Sequence, residues 1–238
     1  MNILPEPVAD ELKRNGEVRP VFYDSVTIMF TDFVGFTRTA SEMQPQELIE
    51  QLNQIFYQFD AISHRYHIEK IKTIGDSYMA AGGLPGQNTT HPLDVCLAAL
   101  EIQQMMNQLL QLSATSGGTP WQLRIGIHTG PVMAGVVGQH KYAYDIFGDS
   151  VNIASRMEST GIAGEINISE ATYEQVKFFF DCEHRGKLPI KNRGEIEMFF
   201  LQGLKAKYVD KNGVPNARFR EIYEKLKAGA KLIPRNIA

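Results

Sequence analysis

The 238-residue sequence has little cysteine, little net charge and no long hydrophobic run. Its two cysteines, Cys96 and Cys182, have neither a zinc-binding nor a redox spacing, which predicts reduced thiols in the cytoplasm. With 24 basic and 27 acidic residues the net charge is −3, which gives no reason to expect binding to nucleic acid. No run of about 18 apolar residues occurs, and the N-terminus lacks a secretory signal. We therefore expect a soluble cytoplasmic unit.

Composition and charge distribution predict one domain with two appendages. The chain is 43% hydrophobic and 21% charged, which is typical of a globular protein with a sizeable core. Residues 205–238 contain nine basic and three acidic residues, a net charge of +6, which leaves −9 for residues 1–204. We expect a linker helix at 1–20, a folded domain at 21–204 and a basic tail at 205–238 with a helix at 216–228. A solvated tail helix is favoured over one that folds back or approaches anionic lipid.

Hydrophobic periodicity predicts an α+β fold. Alternating residues indicate strands, and apolar residues at three- and four-residue spacing indicate long helices that begin near Pro45 and Pro92. Gly130-Pro131 predicts a tight hairpin turn, with a role in dimer contact left open. The predicted strands are 21–33, 68–74, 77–82, 121–129, 132–137, 165–169, 178–183 and 196–203. Strand, helix, hairpin, helix and strand in this order predict a ferredoxin-like, palm-like split βαβ core with a mixed, mainly antiparallel sheet and flanking helices.

Two carboxylates are expected to meet at one edge of this sheet. Asp32 closes the first strand and Asp76 lies in the hairpin that leads into the third. In the split βαβ topology these strands are antiparallel neighbours, so the two side chains converge. Paired carboxylates suit hard divalent cations such as Mg²⁺. Gly35, which precedes a helix start, would let backbone N–H groups approach phosphate, although each Asp alone is more typical of a turn or cap.

Four segments together resemble the class III nucleotidyl cyclases. They are VTIMFTDFVGFT at 26–37, EKIKTIGDSYMAAGGLP at 69–85, LRIGIHTGPVMAGVVG at 123–138 and YDIFGDSVNIASRMEST at 144–160. The resemblance covers about residues 22–204. It implies attack of the ribose 3′-oxygen on the α-phosphate of a nucleoside triphosphate, which gives a 3′,5′-cyclic nucleotide and pyrophosphate.

The resemblance also implies roles for the matching residues. Asp32 and Asp76 correspond to the metal carboxylates for two Mg²⁺ or Mn²⁺ ions, Asn152 would orient the ribose and Arg156 would stabilise charge on the α-phosphoryl oxygens. The Phe33 carbonyl would assist one metal, and the β- and γ-phosphates would be held by amides of Phe33, Val34, Gly35, Phe36 and Thr37. Lys191 occupies the position of a lysine for the terminal phosphates, although Asn192 departs from the family pattern and leaves Arg193 as a substitute. Asp32, water and substrate phosphate all remain candidates for the base.

Base specificity is implied by Lys72 and Asp145. A lysine that donates to a ring nitrogen and an aspartate that accepts from an exocyclic amine together describe adenine, whereas relatives specific for guanine carry Glu and typically Cys there. The chain therefore resembles an adenylyl cyclase acting on ATP, with a guanylyl or mixed-specificity cyclase and a catalytically silent nucleotide-binding domain as alternatives.

In this family each site lies between two catalytic domains: one supplies the metal carboxylates, and the other supplies the base-reading residues, the asparagine and the arginine. This sequence holds both sets. The implied assembly is a head-to-tail homodimer with two interfacial sites. The N-terminal segment resembles the linker that follows a sensor or coiled coil in longer relatives, so the native protein could be tethered to a membrane. The single tryptophan, Trp121, begins a predicted strand and receives no function from the pattern.

Overall fold

The computed structural model describes residues 4–116, 121–138, 140–190, 194–211 and 213–230. The helices are α1 Glu6–Asn15, α2 Phe36–Glu42, α3 Pro45–Arg65, α4 His91–Ser116, α5 Asp149–Ser159, α6 Glu170–Val176 and α7 Ala217–Lys227. The strands are β1 Val21–Phe33, β2 Glu69–Ile74, β3 Ser77–Gly82, β4 Leu123–Val137, β5 Ala143–Phe147, β6 Ile166–Ser169, β7 Phe180–Ile190 and β8 Gly194–Leu204.

The eight strands form one sheet whose centre has the predicted topology. The strand order is β2-β3-β1-β4-β6-β8-β7, and β5 pairs with the second half of β4. Among the strand pairs of the described residues, only β4–β6 is parallel. The order β2-β3-β1-β4, with α3 and α4 as crossover helices, is the ferredoxin-like split βαβ arrangement. The α+β fold with a mixed, mainly antiparallel sheet is therefore confirmed.

The sheet carries helices on both faces because the side chains of its central strands alternate. Met29 and Phe33 of β1 belong to the larger core, which is closed by α3, α4, α6 and α7. Ile28 and Phe30 point the other way, into a smaller core beneath α1 and α5. Among the described helices, none combines the length and the hydropathy that crossing a membrane would require.

The hairpin predicted at Gly130-Pro131 is wrong. β4 runs unbroken from Leu123 to Val137 and stays paired with β1 on both sides of this dipeptide. Proline has no N–H group to donate to a neighbouring strand, and β1 accommodates it with a bulge, in which Asp24 and Ser25 lie opposite Pro131 alone. The chain reverses later, between β4 and β5, a strand that the sequence analysis did not predict.

The basic tail packs against the domain, so the solvated helix favoured from the sequence is wrong. The helix expected at 216–228 is α7, capped by the Asn216 side chain, and it buries Phe219 and Leu226 in the larger core. The Tyr223 hydroxyl donates a 2.6 Å hydrogen bond to Asp94 of α4. The Thr89 hydroxyl donates to the carbonyl oxygen of Leu226. The apolar face of α7 thus covers the start of α4.

Candidate active site

Asp32 and Asp76 lie together at the end of the β1–β3 ladder. Thr31 of β1 pairs with Tyr78 of β3, and the Ser77 hydroxyl donates a 2.7 Å hydrogen bond to the Thr31 carbonyl, which ties the residues beside the two carboxylates together. Burial, followed by the charge of Asp32, raises the pKa of Asp76, and the backbone N–H groups of Asp76 and Phe33 oppose that rise. The convergence expected from the topology is present.

Two further charged residues, missed in the sequence analysis, complete this centre. Arg124 is the direct cross-strand partner of Asp32, and its Nη2 lies 2.8 Å from Asp32 Oδ2. Its Nε lies 3.0 Å from Oε1 of Glu158 on α5, a residue that is only 7% exposed. Burial raises the pKa of Glu158 to about 7, partly offset by Arg124. The antiparallel register of β1 and β4 is the signal that would have identified Arg124.

The donors at this centre fit divalent cations. Two carboxylates on adjacent strands offer the hard oxygen ligands that Mg²⁺ and Mn²⁺ prefer. Within the described ranges, no group of three or more His, Cys, Asp or Glu side chains is arranged to hold a metal by itself. A cation at Asp32 and Asp76 would therefore need backbone oxygen, water or substrate for its remaining ligands, as is usual for a metal that binds with a phosphate.

The segment that follows Asp32 turns sharply into α2. Gly35 has a left-handed backbone conformation (φ 72°) and precedes the first residue of α2, Phe36. The Val34 N–H donates to the Gln122 carbonyl at 2.8 Å, which prolongs the β1–β4 pairing by one residue. Phosphate contact in this segment would therefore fall to the amides of Gly35, Phe36 and Thr37, at the start of the helix.

Lys72 and Asp145 are brought into contact from distant parts of the sequence. Lys72 lies on β2 and Asp145 on β5, and the Lys72 Nζ is 2.5 Å from Asp145 Oδ2. The other carboxylate oxygen of Asp145 accepts a 2.9 Å hydrogen bond from the Ile146 N–H, which fixes the orientation of the group. A donor and an acceptor thus stand side by side at a half-exposed surface, where they satisfy each other.

Asn152 and Arg156 occupy the exposed face of α5, one turn apart. Within the described part of the chain, neither side chain forms a hydrogen bond or ion pair with Asp32 or Asp76. The described polar contacts therefore do not link Asn152 or Arg156 directly to the carboxylate pair of the same chain. Lys191 lies outside the described residues.

Close packing fixes α5 against the sheet. A Cβ atom at Gly126 of β4 would lie 1.9 Å from the backbone nitrogen of Glu158, and one at Gly130 would lie 2.5 Å from the Ser150 hydroxyl oxygen. At Gly126 only glycine permits this approach, because the clash would be with backbone, whereas at Gly130 a Cβ atom would displace the Ser150 hydroxyl. The orientation of the Asn152 and Arg156 face is therefore set by contacts on the opposite side of the helix.

An exposed apolar row crosses β1, β4 and β5. Phe22, Met133 and Phe147 are neighbours in register and are 56%, 41% and 47% exposed. Val137 lies on the same face of β4 as Met133 and is also exposed. Asp145 shares its face of β5 with Phe147, because side chains two residues apart on a strand point the same way. The row thus adjoins the Lys72–Asp145 pair.

Comparison with known proteins identifies related sequences and structures. The family model described as "Adenylate and Guanylate cyclase catalytic domain" matches residues 18–203. Guanylate cyclase 32E of Drosophila melanogaster is 43% identical over 84% of this chain, and an adenylate cyclase of Mycobacterium tuberculosis is 38% identical over 86%. The chain spans 17% and 45%, respectively, of those proteins. The crystal structure of the guanylate cyclase domain of RhGC from Catenaria anguillulae in complex with GTP is 34% identical with a TM-score of 0.73, covering 78% of this chain and 100% of that one.

Proposed function

The chain belongs to the adenylate and guanylate cyclase catalytic domain family, and on that premise we propose that it is an adenylyl cyclase, which converts ATP to 3′,5′-cyclic AMP and pyrophosphate. The observation that carries the choice of ATP is the contact between Lys72 and Asp145. Adenine presents a ring-nitrogen acceptor beside an amino donor. The lysine and the aspartate would exchange their mutual ion pair for these two groups. Guanine would oppose donor to donor, and a buried unpaired polar group costs about 1–3 kcal/mol.

The reaction forms the bond from the ribose 3′-oxygen to the α-phosphorus and breaks the bond from that phosphorus to the bridging oxygen of pyrophosphate. Asp32, Asp76 and the Phe33 carbonyl would hold two Mg²⁺ or Mn²⁺ ions, which supply charge for the attacking oxygen and for the leaving pyrophosphate. The Arg124 guanidinium, 2.8 Å from Asp32, adds a fixed cation at the same edge. The proton of the 3′-hydroxyl would pass to Asp32, water or a substrate phosphate. Positioning and electrostatics therefore dominate catalysis.

We propose that each site is shared by two chains. Asn152 and Arg156 stand on an exposed helix face and, among the described residues, form no hydrogen bond or ion pair with the carboxylates of their own chain, so a second copy would complete the site. The exposed row of Phe22, Met133 and Phe147 adjoins the base-contacting pair and offers the apolar surface for that contact.

Complementation tests the shared site. Asp32→Ala and Arg156→Ala chains, each inactive alone, should together give mixed dimers with one intact site, because each supplies what the other lacks. Inactive mixtures in which mixed dimers are present would contradict sharing. Active Asp32→Ala or Arg156→Ala homodimers would contradict the assigned roles.

Product identification tests the activity and its base preference. The purified chain should make cyclic AMP from ATP with Mn²⁺ or Mg²⁺, and the Lys72→Glu, Asp145→Cys double variant should shift preference towards GTP. A wild-type chain that prefers GTP would instead establish the second candidate, a guanylyl or mixed-specificity cyclase, which the 43% identity to a guanylate cyclase favours. No product from either nucleotide would leave a silent nucleotide-binding domain.

A further inference from the structure

Trp121 lies beneath the segment that joins Asp32 to α2. Its ring centroid is 5.3 Å from that of Phe33 and 5.5 Å from that of Phe36. The residue is 7% exposed, and its indole N–H donates a 3.0 Å hydrogen bond to the Gln51 side chain of α3. One side chain thus connects three elements: the start of β4, helix α3 and both aromatic residues of the segment 33–37.

These contacts lie where the strand pairing of β1 ends, so backbone hydrogen bonds give the chain little other support. The β1–β4 register ends at the Phe33–Leu123 pair, and the Val34 N–H makes one further bond to Gln122. Beyond it, Gly35 adopts a left-handed conformation that favours glycine, and it has no side chain that could pack. The turn between Phe33 and Phe36 is therefore held largely by aromatic packing, in which Phe56 contacts Phe33 and the indole alone contacts both Phe33 and Phe36 among the described ring pairs. Paired aromatic rings stabilise each other beyond the effect of the area they bury.

We propose that Trp121 is a positioning residue for the metal and phosphate site: its ring holds Phe33 and Phe36, and through them it sets the Phe33 carbonyl and the amides at the start of α2. This inference rests on the proposed function, because it assigns metal and phosphate contact to segment 33–37. Trp121 is also the single tryptophan of the chain, so its fluorescence reports on this segment alone.

The test compares Trp121→Leu with Trp121→Phe and with a remote control. Trp121→Leu removes the aromatic support, so the Mg²⁺ concentration for half-maximal activity and the KM for nucleotide should rise about tenfold, since ångström-scale misplacement is enough to cost that much. Trp121→Phe keeps ring packing and should restore most of the loss. Tyr173→Leu disrupts a stacked pair with Phe199, on β8, two strands away from β4, and should lower the thermal midpoint without changing metal dependence.

Binding measurements separate this proposal from the proposed function. Addition of Mg²⁺ with pyrophosphate to the wild-type chain should change the Trp121 emission, and calorimetry should show weaker Mg²⁺–pyrophosphate binding by Trp121→Leu than by Tyr173→Leu. Equal binding and equal metal dependence in these two variants would overturn the positioning role even if cyclic AMP is made. An inactive wild-type chain whose emission responds, with weakened binding in Trp121→Leu, would overturn the cyclase proposal alone.

A second variant covers the case in which Trp121→Leu does not fold. Gln51→Leu removes the acceptor of the indole N–H and leaves the ring in place. It should raise the Mg²⁺ requirement about threefold, because the indole loses the bond that fixes its orientation. An unchanged Mg²⁺ requirement in a folded Gln51→Leu chain would overturn the proposal.

Discussion

The two halves of β4 present the same kind of apolar side chain to the same face of the sheet, but only one half is covered. Leu123, Ile125 and Ile127 are almost completely buried beneath α3, α4 and α6. Met133 and Val137, which alternate onto that face further along the strand, are about half exposed. The covered half thus serves the core of this chain, whereas the exposed half is suited to a second copy. Sequence pattern alone does not distinguish these two uses of one strand.

The largest effect is expected at Asp32, opposite the covered half. Asp32→Asn removes a metal-binding charge without changing the size of the side chain, so activity should fall at least about a thousandfold. The thermal midpoint should stay within a few degrees of wild type, because loss of the Arg124 ion pair is offset by relief of repulsion with Asp76. Cyclic nucleotide assays and calorimetry measure the two quantities. A surface change, Glu174→Gln, is the control, and near-normal activity of Asp32→Asn would contradict the metal role.

The next effect is expected on the exposed half. Phe22→Glu places a charge in the apolar row, so the chain should be monomeric in sedimentation and its activity should fall about a hundredfold through loss of the interface. The fold should remain intact because Phe22 is 56% exposed. Tyr57→Glu, at an exposed aromatic residue of α3, is the matched control. A Phe22→Glu chain that still dimerises would contradict the proposal that the apolar row forms the interface.

A direct comparison of the two halves uses one truncation in each. In the monomeric Phe22→Glu background, Ile127→Ala should lower the free energy of unfolding by about 2–5 kcal/mol, because it leaves a cavity in the core. Met133→Ala should change it by less than about 0.5 kcal/mol, because little buried area is lost. Denaturant titration measures both. Similar losses in the two variants would show that the exposed half is covered within the chain after all.

The smallest effect is expected at helix α7, which covers the start of α4. Tyr223→Phe removes the 2.6 Å hydrogen bond from α7 to Asp94 and should cost about 1–2 kcal/mol of unfolding free energy. Activity should be unchanged, since α7 belongs to the covered side and the active site does not use it. Tyr57→Phe, on an exposed tyrosine, serves as the control. A change in KM for nucleotide in Tyr223→Phe would link the tail to the site.

Much of the fold followed from local pattern, and the failures have physical causes. The β1 bounds, the β2–β3 hairpin and the convergence of Asp32 with Asp76 were predictable because alternation, turn residues and topology agree there. Gly130-Pro131 misled because the same dipeptide that favours a turn is tolerated in a strand whose neighbour bulges. The packing of α7 depends on an apolar face whose docking place no local pattern specifies.

The candidate site divides in the same way. Residues within one motif could be predicted from the sequence, but Arg124 and Glu158 required the β1–β4 register and the position of α5. The proximity of Lys72 and Asp145 could be expected only from the roles that the resemblance implies for them, because no local pattern predicts β5; their direct ion pair comes from the structure. The sequence pattern indicated no role for Trp121. Its proposed role depends on the Phe33 ring of β1, the Phe36 ring of α2 and the Gln51 amide of α3, which only the fold brings together.

The continuity of β4 through Pro131 has a mechanical consequence. Its fifteen residues, at about 3.3 Å per residue, span roughly 50 Å. One end carries the guanidinium that contacts Asp32, and the other carries part of the apolar row. A hairpin at Gly130-Pro131 would have interrupted the strand between these two ends. Because the strand is continuous, we expect that, if two chains meet at the apolar row as proposed, a displacement there is transmitted along β4 towards Arg124 and Asp32.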